Sequence, residues 1–252
     1  MFPIRDENPT TRASIATFLI VAANVLVWIF VQRLGTHPSL LESIWRYGLV
    51  PAELLGRVEP GATVPAGPGL QAVLDGVPKP HTLITSMFMH GGWLHLAMNL
   101  WFLIVFGDNV EDAMGRIRFL VFYLVCGLAA AAAQILSHPG STIPMVGASG
   151  AIGGVMGAYL KLYPFAPVHM LVWVGFFVTR VAVPAFFMLG YWFVIQLAAG
   201  LLTPAGRGGV AFWAHVGGFA AGFALVGRFC NPHRLARCRG RRGRARGWLV
   251  RM

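Results

Sequence analysis

Long apolar stretches separated by small groups of charges set the pattern of this chain. With Asp, Glu, Lys and Arg taken as breaks, uncharged runs extend over 13–32, 80–107, 119–160, 162–179, 181–206 and 208–227. A helix needs about 20 apolar residues to cross a bilayer, and the run 119–160 is long enough for two, divided by the turn-rich piece Ser137–Pro144. Seven candidate segments result. The first reads as a span and not as a cleavable leader, because a polar stretch precedes it and no A-x-A-like site follows.

Cations in the short connections orient these segments. Arg5 and Arg12 precede the first run, Arg116 and Arg118 follow the second, none lies in 137–144, and arginines crowd the stretch after the last. Loops rich in Lys and Arg stay in the cytoplasm, so an even number of spans satisfies all four observations. The segment to lose is 162–179, which lies between Lys161 and Arg180 and carries Pro164 and Pro167; it reads as an interfacial or re-entrant piece. The expectation is an all-α, polytopic membrane protein of six transmembrane helices with both termini cytoplasmic. Its divisions are a cytoplasmic N-terminus at 1–12, a first span at 13–33 and a Pro- and Gly-rich external loop at 34–80. The other five spans occupy 81–228 and an Arg-rich cytoplasmic tail 229–252. Short amphipathic helices are expected around Ser43–Leu55.

Composition agrees with this pattern: 56% of the 252 residues are hydrophobic and 12% are charged, about half the charged share of a soluble domain. The net charge of +11 changes meaning once placed, because removing the nine arginines from Arg228 onward leaves about +2. A basic end beside a span is a topology anchor that also meets lipid headgroups, not a nucleic-acid-binding surface. Cys126, Cys230 and Cys238 have no paired or metal-like spacing.

In the six-span arrangement, spans two, four and six all enter from the outer face, and each carries polar residues near that end. Span two has His95 and Asn99, one helical turn apart on one face. Span four opens with Gly147-Ala148-Ser149-Gly150, and span six carries His215 in its first turns. Polar side chains at membrane depth are costly and face the bundle interior. Gly153 and Gly157 below Ser149, with Gly218 and Gly222 below His215, permit close backbone approach, which sets Ser149 beside His215. A serine next to a neutral imidazole is an activated nucleophile, the ring taking the hydroxyl proton during attack. All nine carboxylates lie at or before Asp112, so the pair works as a dyad with His215 as general base. His95, Asn99 and the Ser149 backbone N–H are the candidate oxyanion donors. His90 is assigned a structural role; His37, His81, His138 and His169 receive none. No metal or other cofactor is expected.

These residues resemble the rhomboid family of intramembrane serine proteases, in its bacterial form. The opening Pro3-Ile4-Arg5-Asp6-Glu7-Asn8-Pro9-Thr10 is similar to the start of many members. The block from His90-Gly91-Gly92-Trp93 to His95 and Asn99 is similar to the second-span motif whose histidine and asparagine serve the oxyanion. Gly147-Ala148-Ser149-Gly150 matches the nucleophile motif and Ala214-His215-Val216-Gly217-Gly218 the general-base motif, with Gly107 and Glu111 at a G-x-x-x-E position. The resemblance implies a multi-pass enzyme of the bacterial plasma membrane that cuts transmembrane helices of other proteins, its substrates entering beside Phe186, Phe187, Tyr191 and Trp192 of span five. Two positions depart from the family pattern. His81-Thr82 stands where many members have Trp-Arg, and Gly153 where many have an aromatic residue against the catalytic histidine, so a side chain from another span is expected to hold His215. The rival functions are a catalytically inactive relative that binds transmembrane helices, and a small-solute transporter, which would need a polar stripe through the membrane. The polar residues form one outer layer instead.

Overall fold

A computed structural model describes residues 2–67, 69–174, 177–204 and 209–236. The Arg-rich tail and Cys238 lie mostly or wholly outside the described residues. The chain opens with strand β1 (Phe2–Asp6) and helix α1 (Ile15–Phe30), then a short 3-10 turn at Arg33–Gly35. The segment expected to form the external loop holds α2 (Ser39–Tyr47), α3 (Pro51–Leu54) and a hairpin of β2 (Thr63–Gly67) with β3 (Leu70–Val73). The turns α4 (Thr82–Thr85) and Ser86–Phe88 lead at 93° into the long α5 (Trp93–Met114). Next come α6 (Arg116–Ser137), α7 (Ser149–Leu162), strands β4 (Pro167–Val174) and β5 (Phe177–Pro184), α8 (Ala185–Leu202) and α9 (Phe212–Phe229).

The molecule is mostly helical, and two small β elements correct the all-α expectation. The segment 162–179 does not cross as a helix: β4 and β5 form an antiparallel hairpin, and β1 pairs along the other edge of β4 in the order β1-β4-β5. The reason is local. Pro167 opens β4 and Pro184 closes β5, where a missing N–H costs nothing, while the valines and Thr179 between them favour a pleated strand. β1 is fastened from the helices: Trp101 Nε1 donates to the Pro3 carbonyl at 2.6 Å, Asn109 Nδ2 donates to Asp6 Oδ2 at 3.0 Å, and the Tyr159 hydroxyl donates to the same carboxylate oxygen.

α5 also runs further than the uncharged stretch implied, carrying Asp108, Glu111 and Asp112 inside the helix. Two of these acids tie α5 to the start of α1 and the segment before it. Glu111 accepts from the N–H groups of Ala16 and Thr17 at 3.0 and 2.8 Å and from the Thr17 hydroxyl at 2.9 Å. It thereby satisfies orphan donors at the start of α1 and places negative charge at that helix's positive end. Gly107 makes this possible, since a Cβ there would stand 3.2 Å from the Thr17 methyl. Asp112 accepts from the N–H and hydroxyl of Thr11 at 2.5 and 2.7 Å.

α7 forms the centre of the bundle, buried continuously from Gly150 to Tyr159 and packed by α5, α6, α8 and α9. Its seam with α9 is the tightest in the molecule. A Cβ on Gly218 would fall 1.9 Å from the Gly150 carbonyl oxygen, and one on Gly222 would fall 1.9 Å from that of Gly154. Glycine is required there because the backbones touch. The outer faces are apolar instead: Phe18 and Phe30 on α1, Ile117 and Leu136 on α6, and Phe187 and Leu202 on α8 are exposed. Among the described residues α6 and α8 are each long and apolar enough to cross a membrane, and the bent pair ending in α5 makes a third if counted as one span.

Candidate active site

Ser149 is the first residue of α7, behind the N-cap Ala148 and a Gly147 whose φ of +124° suits glycine. His215 stands in the first turn of α9, its N–H donating to the Ala211 carbonyl at 3.3 Å. Because the glycine seam draws these two helix starts together, Ser149 Oγ lies 2.7 Å from His215 Nε2. That is hydrogen-bond contact between a hydroxyl and the ring nitrogen able to take its proton.

The other nitrogen of the ring is also held. His215 Nδ1 lies 2.6 Å from Gln196 Oε1 on α8, and the Trp192 ring, one turn earlier on that helix, packs 5.7 Å from the imidazole at 35°. Gly153 faces the α9 backbone, where a Cβ would stand 3.1 Å from the His215 carbonyl oxygen, and the Trp192 ring edge lies at ordinary contact distance, 3.8 Å. Support for His215 therefore comes from another helix, as the absence of an aromatic at 153 led one to expect.

His95, in the first turn of α5, borders the same cavity as Ser149. The Gly91 N–H donates to His95 Nδ1 at 3.2 Å. A ring nitrogen that accepts a hydrogen bond carries no proton, so the neutral imidazole bears its proton on Nε2. That N–H faces Gly147, where a Cβ would sit 2.8 Å from His95 Nε2 and 3.5 Å from Ser149 Oγ. The bare glycine thus leaves open the space between this N–H and the Ser149 hydroxyl. Asn99 lies one turn below, its Nδ2 donating to the His95 carbonyl at 2.7 Å, and it borders the same cavity of about 860 Å³ as Ser149, His95 and His215.

Gln32, at the end of α1, clamps the backbone that orients His95. Its Oε1 accepts from the His90 N–H and its Nε2 donates to the His90 carbonyl, both at 2.8 Å. His90 is fully buried and packs edge-on against His95 with ring centres 5.2 Å apart. The loop before Ser149 is braced from the external segment, since Leu49 and Met145 form an antiparallel bridge and the Ala52 N–H donates to the Ser141 carbonyl at 2.9 Å.

The structure therefore gathers Ser149, His215, His95 and Asn99 around one cavity. Sequence reasoning did not find Gln196 or Gln32, and it assigned Trp192 to substrate entry and not to contact with His215. The available signal for the two glutamines was an uncharged polar residue within or at the edge of an apolar run, a costly placement that calls for a partner. Such a site can perform acyl transfer: a hydroxyl in contact with a ring nitrogen able to take its proton, with an N–H donor nearby, facing a volume in the usual range of binding pockets.

Part of the chain is similar to known proteins. The family model described as the Rhomboid domain matches residues 78–232. RHOMBOID-like protein 6, mitochondrial, of Arabidopsis thaliana is 35% identical over 144 residues, covering 57% of this chain and 41% of that protein. Rhomboid protease GluP of Bacillus subtilis (strain 168) is 41% identical over 78 residues, or 31% of this chain and 15% of that protein. Putative rhomboid protease YdcA of the same organism is 35% identical over 83 residues, or 33% and 41%. The matched part of this chain spans about two fifths, or less, of these relatives' lengths.

Proposed function

Because the chain belongs to the rhomboid family, we propose that it is an intramembrane serine endopeptidase, hydrolysing peptide bonds in or near the transmembrane helices of other membrane proteins. The observation that carries this reading is the 2.7 Å contact between Ser149 Oγ and His215 Nε2. His215 takes the hydroxyl proton as Ser149 attacks the scissile carbonyl, then delivers it to the leaving amine. The tetrahedral oxyanion forms beside Gly147, where His95 Nε2–H and the Ser149 N–H stabilise it; Asn99 assists from the turn below. Water, deprotonated by the same imidazole, then releases the acyl group.

The topology that accompanies this chemistry has six spans, with both termini and the β1-β4-β5 sheet on the cytoplasmic side of a bacterial plasma membrane. Residues 34–80 lie outside. Two features support it: β1 and β4 belong to segments that the cations Arg5, Arg12, Lys161 and Arg180 assign to one side, and the polar layer of the site falls at the opposite ends of α5, α7 and α9. Substrates are transmembrane helices, approaching from the lipid.

The test is cleavage of a model transmembrane substrate by the purified protein in detergent, wild type beside Ser149→Ala and His215→Ala. Each variant should lose at least about 1,000-fold in kcat, as removal of a nucleophile or base does in serine hydrolases. A folded wild type that binds transmembrane peptides and cuts none would instead make the protein a helix-binding relative.

A further inference from the structure

A serine–histidine pair with no carboxylate leaves open what makes the imidazole a base and not a donor. Neutral histidine has one proton, and Nε2 can accept from Ser149 only if that proton sits on Nδ1. The titratable side chains bordering the cavity, among the described residues, are His95, His138 and His215. Every acid in the chain lies at or before Asp112. What meets His215 Nδ1 is an amide oxygen, Gln196 Oε1 at 2.6 Å, on a side chain only 8% exposed.

We infer that Gln196 is a positioning residue: its Oε1 accepts the His215 Nδ1–H, fixing the tautomer whose Nε2 is free to deprotonate Ser149. This inference rests on the proteolytic reading of the site. Packing and hydrogen bonding divide the work between two residues one turn apart on α8. Trp192 packs against the ring, while Gln196 fixes rotation and proton placement. A neutral acceptor has a chemical consequence. It orients the ring but lends the imidazolium formed during attack only a dipole, whereas a carboxylate would lend a full charge.

Gln196→Glu and Gln196→Met separate orientation from charge. A glutamate of the same length still accepts from Nδ1–H and adds negative charge, so Gln196→Glu should keep wild-type kcat to within about threefold above neutral pH. The acid limb of its pH–rate profile should move to higher pH. Gln196→Met fills the same volume without an acceptor and should lose about 10- to 100-fold in kcat, the size of effect that follows removal of the orienting partner of a metal-bound histidine. KM and thermal midpoint should stay close to wild type. Wild-type kcat and an unmoved profile in Gln196→Met would overturn the inference. So would an equal fall in both variants at unchanged stability, because a carboxylate can replace an accepting amide but not a donating one. If Gln196→Glu does not fold, the kcat–KM split of Gln196→Met decides alone. Ser149-dependent cleavage by the wild type is the reference throughout; without it the proteolytic reading fails and this inference falls with it, an outcome distinct from the two above.

Discussion

Two imidazoles border the same cavity as the Ser149 hydroxyl, and one nitrogen of each is held, but the holders differ in kind. His95 is fixed by a backbone N–H, that of Gly91, on a loop whose conformation Gln32 clamps from the end of α1. His215 is fixed by a side chain on α8, a helix that buries only Ala185, Met188, Leu189, Gln196 and Gly200. The first arrangement belongs to the fold and cannot be altered without moving the chain. The second consists of two side chains reaching in from a thinly packed helix, and can be edited while the fold stays. Orientation of a reactive ring thus comes either from the backbone, at a cost in mutability, or from side chains, at a cost in rigidity.

The sharpest way to break this comparison is at Gly147, where the two sides meet. Gly147→Ala would place a methyl group 2.8 Å from His95 Nε2 at a φ of +124°, so kcat should fall by about 100- to 1,000-fold, the loss expected when an oxyanion donor is blocked. Unimpaired cleavage by that variant would remove His95 from the chemistry. Next in size is the contrast between the glutamines. Gln32→Leu leaves the buried His90 N–H and carbonyl unpaired and should lower stability by about 1–3 kcal/mol together with activity, whereas Gln196→Met should lower activity alone; thermal unfolding of both in one detergent compares them.

Gly222→Ala tests the seam that both sides depend on. With a methyl group forced to within 1.9 Å of the Gly154 carbonyl, the cost should be about 1–3 kcal/mol, with activity falling in step with the folded fraction. The smallest effect lies far from both rings, where Lys79 pairs with Glu53 at 3.2 Å and with Asp75 at 3.1 Å. Burial lifts the Glu53 carboxyl above its usual range, against the opposing pull of Lys79. In Lys79→Met the ionised Glu53 loses its counter-charge, so the penalty, about 1 kcal/mol, should appear as pH rises through the lifted Glu53 value and fade as falling pH returns its proton. Thermal midpoints measured across about pH 4 to 8 read this difference; a penalty that does not shrink toward the acid end would contradict it.

The parts of the molecule written in rare residues could be read before the fold was known. Glycines at helical spacing announced the α7–α9 seam, and the small polar set of Ser149, His215, His95 and Asn99 stood out against the apolar segments around it. Parity of the cations removed 162–179 from the list of spans. It did not reveal a hairpin, because the uncharged, Val-rich stretch before Arg180 looks the same as membrane-embedded helix when only charges are counted. The partner of that hairpin, β1, lies more than 160 residues earlier in the chain, a separation no local pattern records. Gln196 and Gln32 were hidden for a related reason: neither carries charge, so each passed as part of an apolar run, although an amide at that depth needs a partner. The pairing of Glu111 with the start of α1 was equally silent, since it joins residues 94 and 95 apart.

The central claim is that Ser149 is a nucleophile made reactive by His215. Its most direct test is intact-mass and peptide mapping of the protein after reaction with a fluorophosphonate, in wild type, Ser149→Ala and His215→Ala. A single adduct on Ser149 in the wild type, absent from both variants at equal folded fraction, is the predicted result. An adduct that forms at the same rate in His215→Ala, or on another residue, would contradict it.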